Sequence, residues 1–119
     1  CFAENIGTRL AGNKFNVDIN PFGTLYNPAS IAASLRLLLH PEQFTTGDLL
    51  QYEGVYHSFA HHSRFSSTSE TECLENINDR LFASAGKLRT TTYLVVTLGT
   101  AYVYRLKSSG EVVANCHKL

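Results

Sequence analysis

The sequence predicts an α/β domain, a three-layer α/β/α sandwich in which helices cover both faces of a mainly parallel sheet. Stretches with apolar residues at helical spacing alternate along the chain with short stretches of β-strand character. Strands that alternate with helices are typical of parallel sheets. The chain has 119 residues, begins with Cys1 and contains no methionine. We therefore treat residues 1–119 as a single partial domain that is truncated at both ends.

The first helix and the first strand are predicted from neighbouring patterns. Apolar residues recur every four positions at Phe2, Ile6 and Leu10, which is one face of a helix. Gly12 and Asn13 are typical of the C-terminal end of a helix. Residues 15–19 then alternate between apolar and polar side chains, which predicts a short strand.

Two further helices have recognisable starts. Asn27 is a favoured N-cap and Pro28 suits the first helical position, so a helix is predicted from there to about His40. The third helix is predicted to begin near Ser69, which forms a capping-box pattern with Glu72. Its apolar residues recur at helical spacing: Cys73, Ile77 and Leu81.

The remaining strands are less uniform in their signals. Leu49-Leu50 and Val55-Tyr56 are compatible with either short strands or turns. Residues 93–98 form an unbroken apolar run rich in β-branched side chains, which predicts a strand buried on both faces. Ser108-Ser109-Gly110 lies between apolar residues and predicts a hairpin.

Composition excludes several functional classes. Ten acidic and ten basic side chains cancel, so the chain lacks the basic surface that nucleic-acid binding requires. No apolar stretch is long enough to span a membrane. The odd number of cysteines argues against a disulfide framework and favours a reducing compartment, so we expect a cytoplasmic protein. Cys73 is predicted to be a small buried hydrophobe.

The loops after residues 15–19 and 93–98 lie where parallel sheets bind ligands, at the carboxyl ends of the predicted strands. The first loop contains Asn20-Pro21-Phe22-Gly23. Two interpretations of it stay open. It is either a tight turn with Gly23 at positive φ, or a loop whose backbone N–H approaches a substrate because glycine has no side chain.

The histidine cluster also has two interpretations. His57 and His61 would share one face of a helix, as zinc ligands at this spacing do. However, no carboxylate lies beside them and the surrounding sequence is not helical in pattern. We therefore predict that no metal is bound, and that His61 or His62 packs beside the loops and hydrogen-bonds locally with Ser63.

Six short motifs are spread over nearly the whole chain: Cys1-Phe2-Ala3-Glu4-Asn5-Ile6-Gly7, Asn20-Pro21-Phe22-Gly23, Tyr26-Asn27-Pro28, His61-His62-Ser63, Thr97-Leu98-Gly99-Thr100-Ala101 and Asn115-Cys116-His117-Lys118. In this order they resemble the GSCFA family, which is named for a Gly-Ser-Cys-Phe-Ala motif and is similar to SGNH-type hydrolases. The resemblance implies a partial domain of the SGNH fold.

By this resemblance, the nucleophile is a serine immediately before Cys1, and an Asp-x-x-His pair follows well beyond Leu119. Gly23 would serve the oxyanion hole. Ala101 stands where the SGNH pattern has an asparagine, so Asn20 or Asn27 is the expected substitute donor. The residues expected to bind substrate are His62, Ser63, Gly99, Thr100 and His117.

The resemblance implies hydrolysis of an ester or acyl group on a small molecule or a saccharide, by a serine mechanism without a cofactor. Residues 1–119 alone would be inert, because nucleophile and base lie outside them. Cys1, at the start of a helix, would be the substitute nucleophile if the serine were absent. The alternative is a non-catalytic domain that keeps the cleft to bind a glycan or an acyl ligand.

Overall fold

The computed structural model describes residues 1–114, and these form a mixed α/β fold of three α-helices and two antiparallel β-hairpins. The helices are α1 (Phe2–Gly12), α2 (Pro28–Leu39) and α3 (Glu70–Leu88). The strands are β1 (Leu49–Tyr52), β2 (Val55–Ser58), β3 (Tyr104–Arg105) and β4 (Val112–Val113). Two short 3₁₀ turns cover Thr46–Asp48 and Ser63–Phe65.

The predicted helix starts are confirmed by their caps. Asn27 accepts a hydrogen bond from the Ser30 N–H at 2.8 Å, and Ser69 accepts one from the Glu72 N–H at 3.3 Å. Each cap satisfies a donor that the first helical turn leaves without an intrahelical acceptor. The first helix likewise ends where predicted, with Asn13 as its C-cap.

The core lies between α2 and α3. Phe22, Leu38 and Leu81 form its buried centre. Partly buried side chains pack around that centre: Leu25, Leu35, Leu37, Phe44 and Leu88. The apolar face predicted for α3 is confirmed, because Cys73, Ile77 and Leu81 are at most 1% exposed. Phe22, which lies in a loop, therefore ties that loop to the helical core.

Both hairpins are local in sequence. In the first, Leu49 lies opposite Ser58, and the turn uses Glu53 and Gly54, both at positive φ. Positive φ at both central residues is typical of the turns that suit strand twist. In the second, Tyr104 lies opposite Val113 and Gly110 has a φ of 74°, which confirms the hairpin predicted around Ser108–Gly110.

The predicted parallel sheet is not found among residues 1–114. Residues 15–19 and 93–98 lie outside any strand, and Tyr93 and Val95 are 87% and 65% exposed. The predictions of a strand at each stretch, and of burial on both faces for the second, are wrong for this structure. A β-branched sequence favours strand geometry, but a strand also needs a neighbouring backbone to pair with.

Residues 15–19 are instead fixed by contacts with two helices. Arg80 of α3 forms an ion pair with Asp18 at 2.6 Å and donates a hydrogen bond to the Ile19 carbonyl at 3.0 Å. Gly7 of α1 packs directly on the Ile19 side chain. These contacts fix where the Asn20–Gly23 loop begins.

In the described part of the chain, the helices are too short or too polar to cross a membrane.

Candidate functional site

The loop Asn20–Gly23 is a tight turn. The Gly23 N–H donates to the Asn20 carbonyl at 2.8 Å, and Pro21 occupies the position that proline favours in such turns. Asn20 has a φ of 44° and Gly23 a φ of 81°. The turn interpretation is therefore observed, and the left-handed backbone at Gly23 is one reason for glycine there.

A second reason for glycine is the close approach of His62. A Cβ atom on Gly23 would lie 2.3 Å from the Cβ of His62, a separation that van der Waals repulsion forbids. The two backbones are also joined, because the His62 N–H donates to the Phe22 carbonyl at 2.8 Å. The turn and the histidine motif, distant in sequence, thus form one packed unit.

The His61 side chain packs this unit against the core. Its ring is 1% exposed and stacks on Phe22 with 4.6 Å between ring centroids. Phe44 and Phe65 pack against the same ring edge-on. The Nδ1 atom of His61 shares a 2.8 Å hydrogen bond with the Ser58 hydroxyl. A buried ring among aromatic side chains with a hydrogen-bonded nitrogen is structural in character.

The other two histidines have separate partners. His57, on β2, shares a 2.7 Å hydrogen bond with the Ser66 hydroxyl, and His62 Nδ1 accepts one from the Arg64 N–H at 3.1 Å. The helix that would have placed His57 and His61 on one face is a strand and a turn instead. Within residues 1–114, no group of three or more His, Cys, Asp or Glu side chains is placed to hold a metal.

Arg64 bridges the turn to α1, a contact that no spacing pattern in the sequence predicts. One guanidinium nitrogen donates to the Asn20 carbonyl at 2.9 Å, and another pairs with Glu4 at 3.3 Å. The second oxygen of Glu4 accepts a hydrogen bond from Thr24 at 3.3 Å. The sequence does contain a signal for this contact. Glu4 lies within one motif and Arg64 directly follows another, and neither has an ion-pair partner nearby in the sequence.

A cavity of about 90 Å³ opens beside this turn. Its walls come from the start of α1, from the Asn20–Gly23 turn, from Ile31 and Ser34 of α2, and from Val95 and Thr97. The Asn20 side-chain nitrogen lies 4.0 Å from the sulfur of Cys1. The structure therefore brings Cys1, Asn20 and Gly23 to one cavity.

Asn27 lies apart from that cavity lining. It is fully buried, and besides capping α2 it donates from its amide nitrogen to the Ser30 hydroxyl at 3.0 Å. Its contribution is to fix the helix that supplies Ile31 and Ser34 to the cavity wall.

The other residues predicted to bind substrate lie in different parts of the chain. The N–H groups of Gly99 and Thr100 both donate to the Tyr26 carbonyl, at 2.9 and 3.1 Å, which docks this loop beside the start of α2. Ala101 is exposed, and Ser63 is exposed within the second 3₁₀ turn. His117, with its neighbours in the last predicted motif, lies outside the described residues.

Two cysteines differ sharply in environment. Cys73 is fully buried, as predicted, and its thiol lies 3.7 Å from the Tyr56 carbonyl oxygen. Burial raises the pKa of this thiol above its ordinary value, a backbone hydrogen bond with Ser67 partly offsets that rise, and the Glu72 carboxylate adds to it. Cys1 is exposed at the start of α1.

Comparison with known proteins gives one family. The model of the GSCFA family matches residues 1–119, the whole chain. No curated protein and no solved structure gives a significant match.

Proposed function

The chain belongs to the GSCFA family, and we propose that it is part of an SGNH-type hydrolase that cleaves an ester or acyl group. The proposed nucleophile is the serine that the family motif has immediately before Cys1, and the proposed base is the histidine of a later Asp-x-x-His pair. The proposal includes the three-layer sandwich with a parallel sheet that SGNH-type proteins share. An acylated saccharide is the proposed substrate.

One observation carries this proposal. The Asn20 amide lies 4.0 Å from Cys1, and both residues line the same cavity. Cys1 directly follows the proposed nucleophile in the chain. The Asn20 amide is therefore a donor beside the residue next to that nucleophile. Because Ala101 cannot supply the amide that the SGNH pattern has there, Asn20 is the proposed replacement.

The proposed reaction is a two-step acyl transfer. Histidine takes the serine proton as the serine oxygen attacks the ester carbonyl, and then returns that proton to the departing alcohol. Water next cleaves the acyl-enzyme and releases the acid. During both steps, hydrogen-bond donors must meet the oxygen that becomes negatively charged.

In this scheme Asn20 donates from its side chain and Gly23 from its backbone. The Gly23 N–H already donates to the Asn20 carbonyl, so it would share its hydrogen with the oxyanion in a bifurcated bond. Asn27, which lies apart from the cavity, would help indirectly by fixing the helix that supplies Ile31 and Ser34 to the cavity wall. His62, Ser63, Gly99, Thr100 and His117 are the proposed contacts to the rest of the substrate.

A specific observation favours the second candidate, a non-catalytic domain that binds a glycan or an acyl ligand. The N–H groups of Gly23, Gly99 and Thr100 are all engaged within the fold, and Ala101 brings no donor. A binding domain would need the cavity and not the oxyanion donors.

Labelling of the full-length protein with a fluorophosphonate separates the two candidates. In a serine hydrolase the serine oxygen attacks phosphorus and fluoride leaves, so mass spectrometry should find the adduct on the serine before Cys1. Heat-denatured protein is the control and should stay unlabelled. An unlabelled native protein that still binds an acylated saccharide would overturn the hydrolase proposal in favour of the binding domain.

A further inference from the structure

The cavity beside Asn20 is small and half open to solvent. Its volume is about 90 Å³. A group of that size has only a few carbon and oxygen atoms. The cavity is thus far smaller than the sites of about 300–1,000 Å³ that enclose drug-sized ligands.

The inner wall of this cavity is formed by tightly packed, buried side chains. Phe22 lines it, is 2% exposed, stacks on the His61 ring and belongs to the buried core between α2 and α3. Leu25, which also lines the cavity, packs against the same core. Because protein interiors are close-packed, a chain that pushed inward would displace several buried side chains at once.

The walls differ in polarity in a way that suits an acyl group. Asn20 lines the cavity and supplies an amide donor that would receive a carbonyl oxygen. Ala3, Leu25, Ile31 and Val95 supply apolar surface, which favours burial of methyl and methylene groups. A short acyl group has this same pairing of one polar and one apolar end.

From this volume and polarity we infer that the site takes esters of short acyl groups, of two to four carbons, and discriminates against longer ones. This inference rests on the proposed hydrolase function and names the acyl part of its substrate. Within the cavity, each buried methylene adds about 0.8 kcal/mol, or roughly fourfold, to transition-state binding. Once Phe22 is reached, further carbons must turn back towards solvent.

The test uses the full-length protein and p-nitrophenyl esters of acetate, butanoate and octanoate. We expect kcat/KM for octanoate to be at least tenfold below that for the better of the two short esters. Ile31→Ala removes wall atoms from the cavity and should narrow the difference between octanoate and butanoate severalfold. Leu39→Ala is the matched control, since Leu39 is on the same helix, is 62% exposed and does not line the cavity.

The outcomes separate the inference from the function on which it rests. Efficient hydrolysis of all three esters, or a preference for octanoate, would overturn the short-acyl inference and leave the hydrolase function standing. An unchanged chain-length profile in Ile31→Ala would also count against it. If wild-type protein hydrolyses none of the esters, both the function and the inference fail.

Discussion

Two regions of this molecule differ in burial in a way that runs against their apolar content. The motif junction, formed by Asn20–Gly23 and His61–Arg64, has Phe22 and His61 at 2% and 1% exposed. The apolar segment, residues 93–98, has Tyr93 and Leu98 at 87% and 64% exposed. Apolar composition alone therefore does not decide which residues form the core.

The difference lies in the partners that each region finds. In the motif junction, the Phe22 carbonyl accepts a hydrogen bond from the His62 N–H. The Asn20 carbonyl accepts hydrogen bonds from the Gly23 N–H and the Arg64 guanidinium. Backbone groups that are satisfied in this way can be buried at low cost. The apolar segment is anchored after its end, by the two N–H groups of Gly99 and Thr100 on Tyr26. Burial follows where backbone polar groups have partners.

The largest expected effect compares a leucine of the core with a leucine of the apolar segment. Leu81 is 1% exposed and Leu94 is 59% exposed. Leu81→Ala should lower the free energy of unfolding by about 2–5 kcal/mol through lost burial and a cavity. Leu94→Ala should change it by less than about 0.5 kcal/mol. Urea unfolding followed by circular dichroism measures both, and equal losses would show that the apolar segment is packed.

The next effect tests the close packing of the motif junction. Gly23→Ala places a Cβ against His62 and forces alanine into a positive φ, which should lower the free energy of unfolding by about 2–4 kcal/mol. Gly86→Ala is the control, because Gly86 lies within α3 with open space around it. That variant should gain up to about 1 kcal/mol from helix propensity. A Gly23→Ala variant as stable as wild type would contradict the packing described here.

Arg64 should affect activity more than stability. Its ion pair with Glu4 is solvent-exposed, so Arg64→Ala should cost no more than about 1 kcal/mol in unfolding free energy. Because Arg64 holds the Asn20 carbonyl, we expect kcat on a short-chain ester to fall about tenfold with KM little changed. Arg36→Ala, at an exposed arginine of α2, is the control. A higher KM with unchanged kcat would mean that Arg64 contacts substrate and does not position the turn.

The smallest effect concerns Cys73 and pH. Because its thiol pKa is raised in the folded state, the folded protein holds this proton more tightly than the unfolded chain does. The resulting stabilisation is complete below the ordinary pKa of a thiol and is lost as the pH rises through the folded-state value. The stability difference between wild type and Cys73→Ala should therefore shrink from pH 7 to pH 10. A difference that stays constant would argue against the raised pKa.

Helices and turns were the parts of this fold that the sequence predicted well, because their signals are local. Asn27, Ser69 and Gly23 each act within a few residues of their own position in the chain. The strands at residues 15–19 and 93–98 were predicted wrongly because a strand depends on a distant neighbour, which periodicity does not reveal.

The candidate site was predictable only in part for the same reason. The family motifs drew attention to Asn20, Gly23 and His62. The contacts that join them are long-range: Arg64 reaches back to Glu4 and Asn20, and His61 stacks on Phe22. No spacing rule links residues so far apart in the chain, so Arg64 was missed and His61 was placed among possible metal ligands.

The measurement that tests the central claim most directly is the effect of Asn20→Asp on kcat/KM of the full-length protein with p-nitrophenyl acetate. Aspartate keeps the size of the side chain and tolerates positive φ, but its carboxylate cannot donate to an oxyanion. We predict a loss of about 100-fold or more, with Asn16→Asp, the same charge change in the preceding segment, close to wild type. An Asn20→Asp variant that keeps wild-type kcat/KM would contradict the assignment of Asn20 to the oxyanion hole.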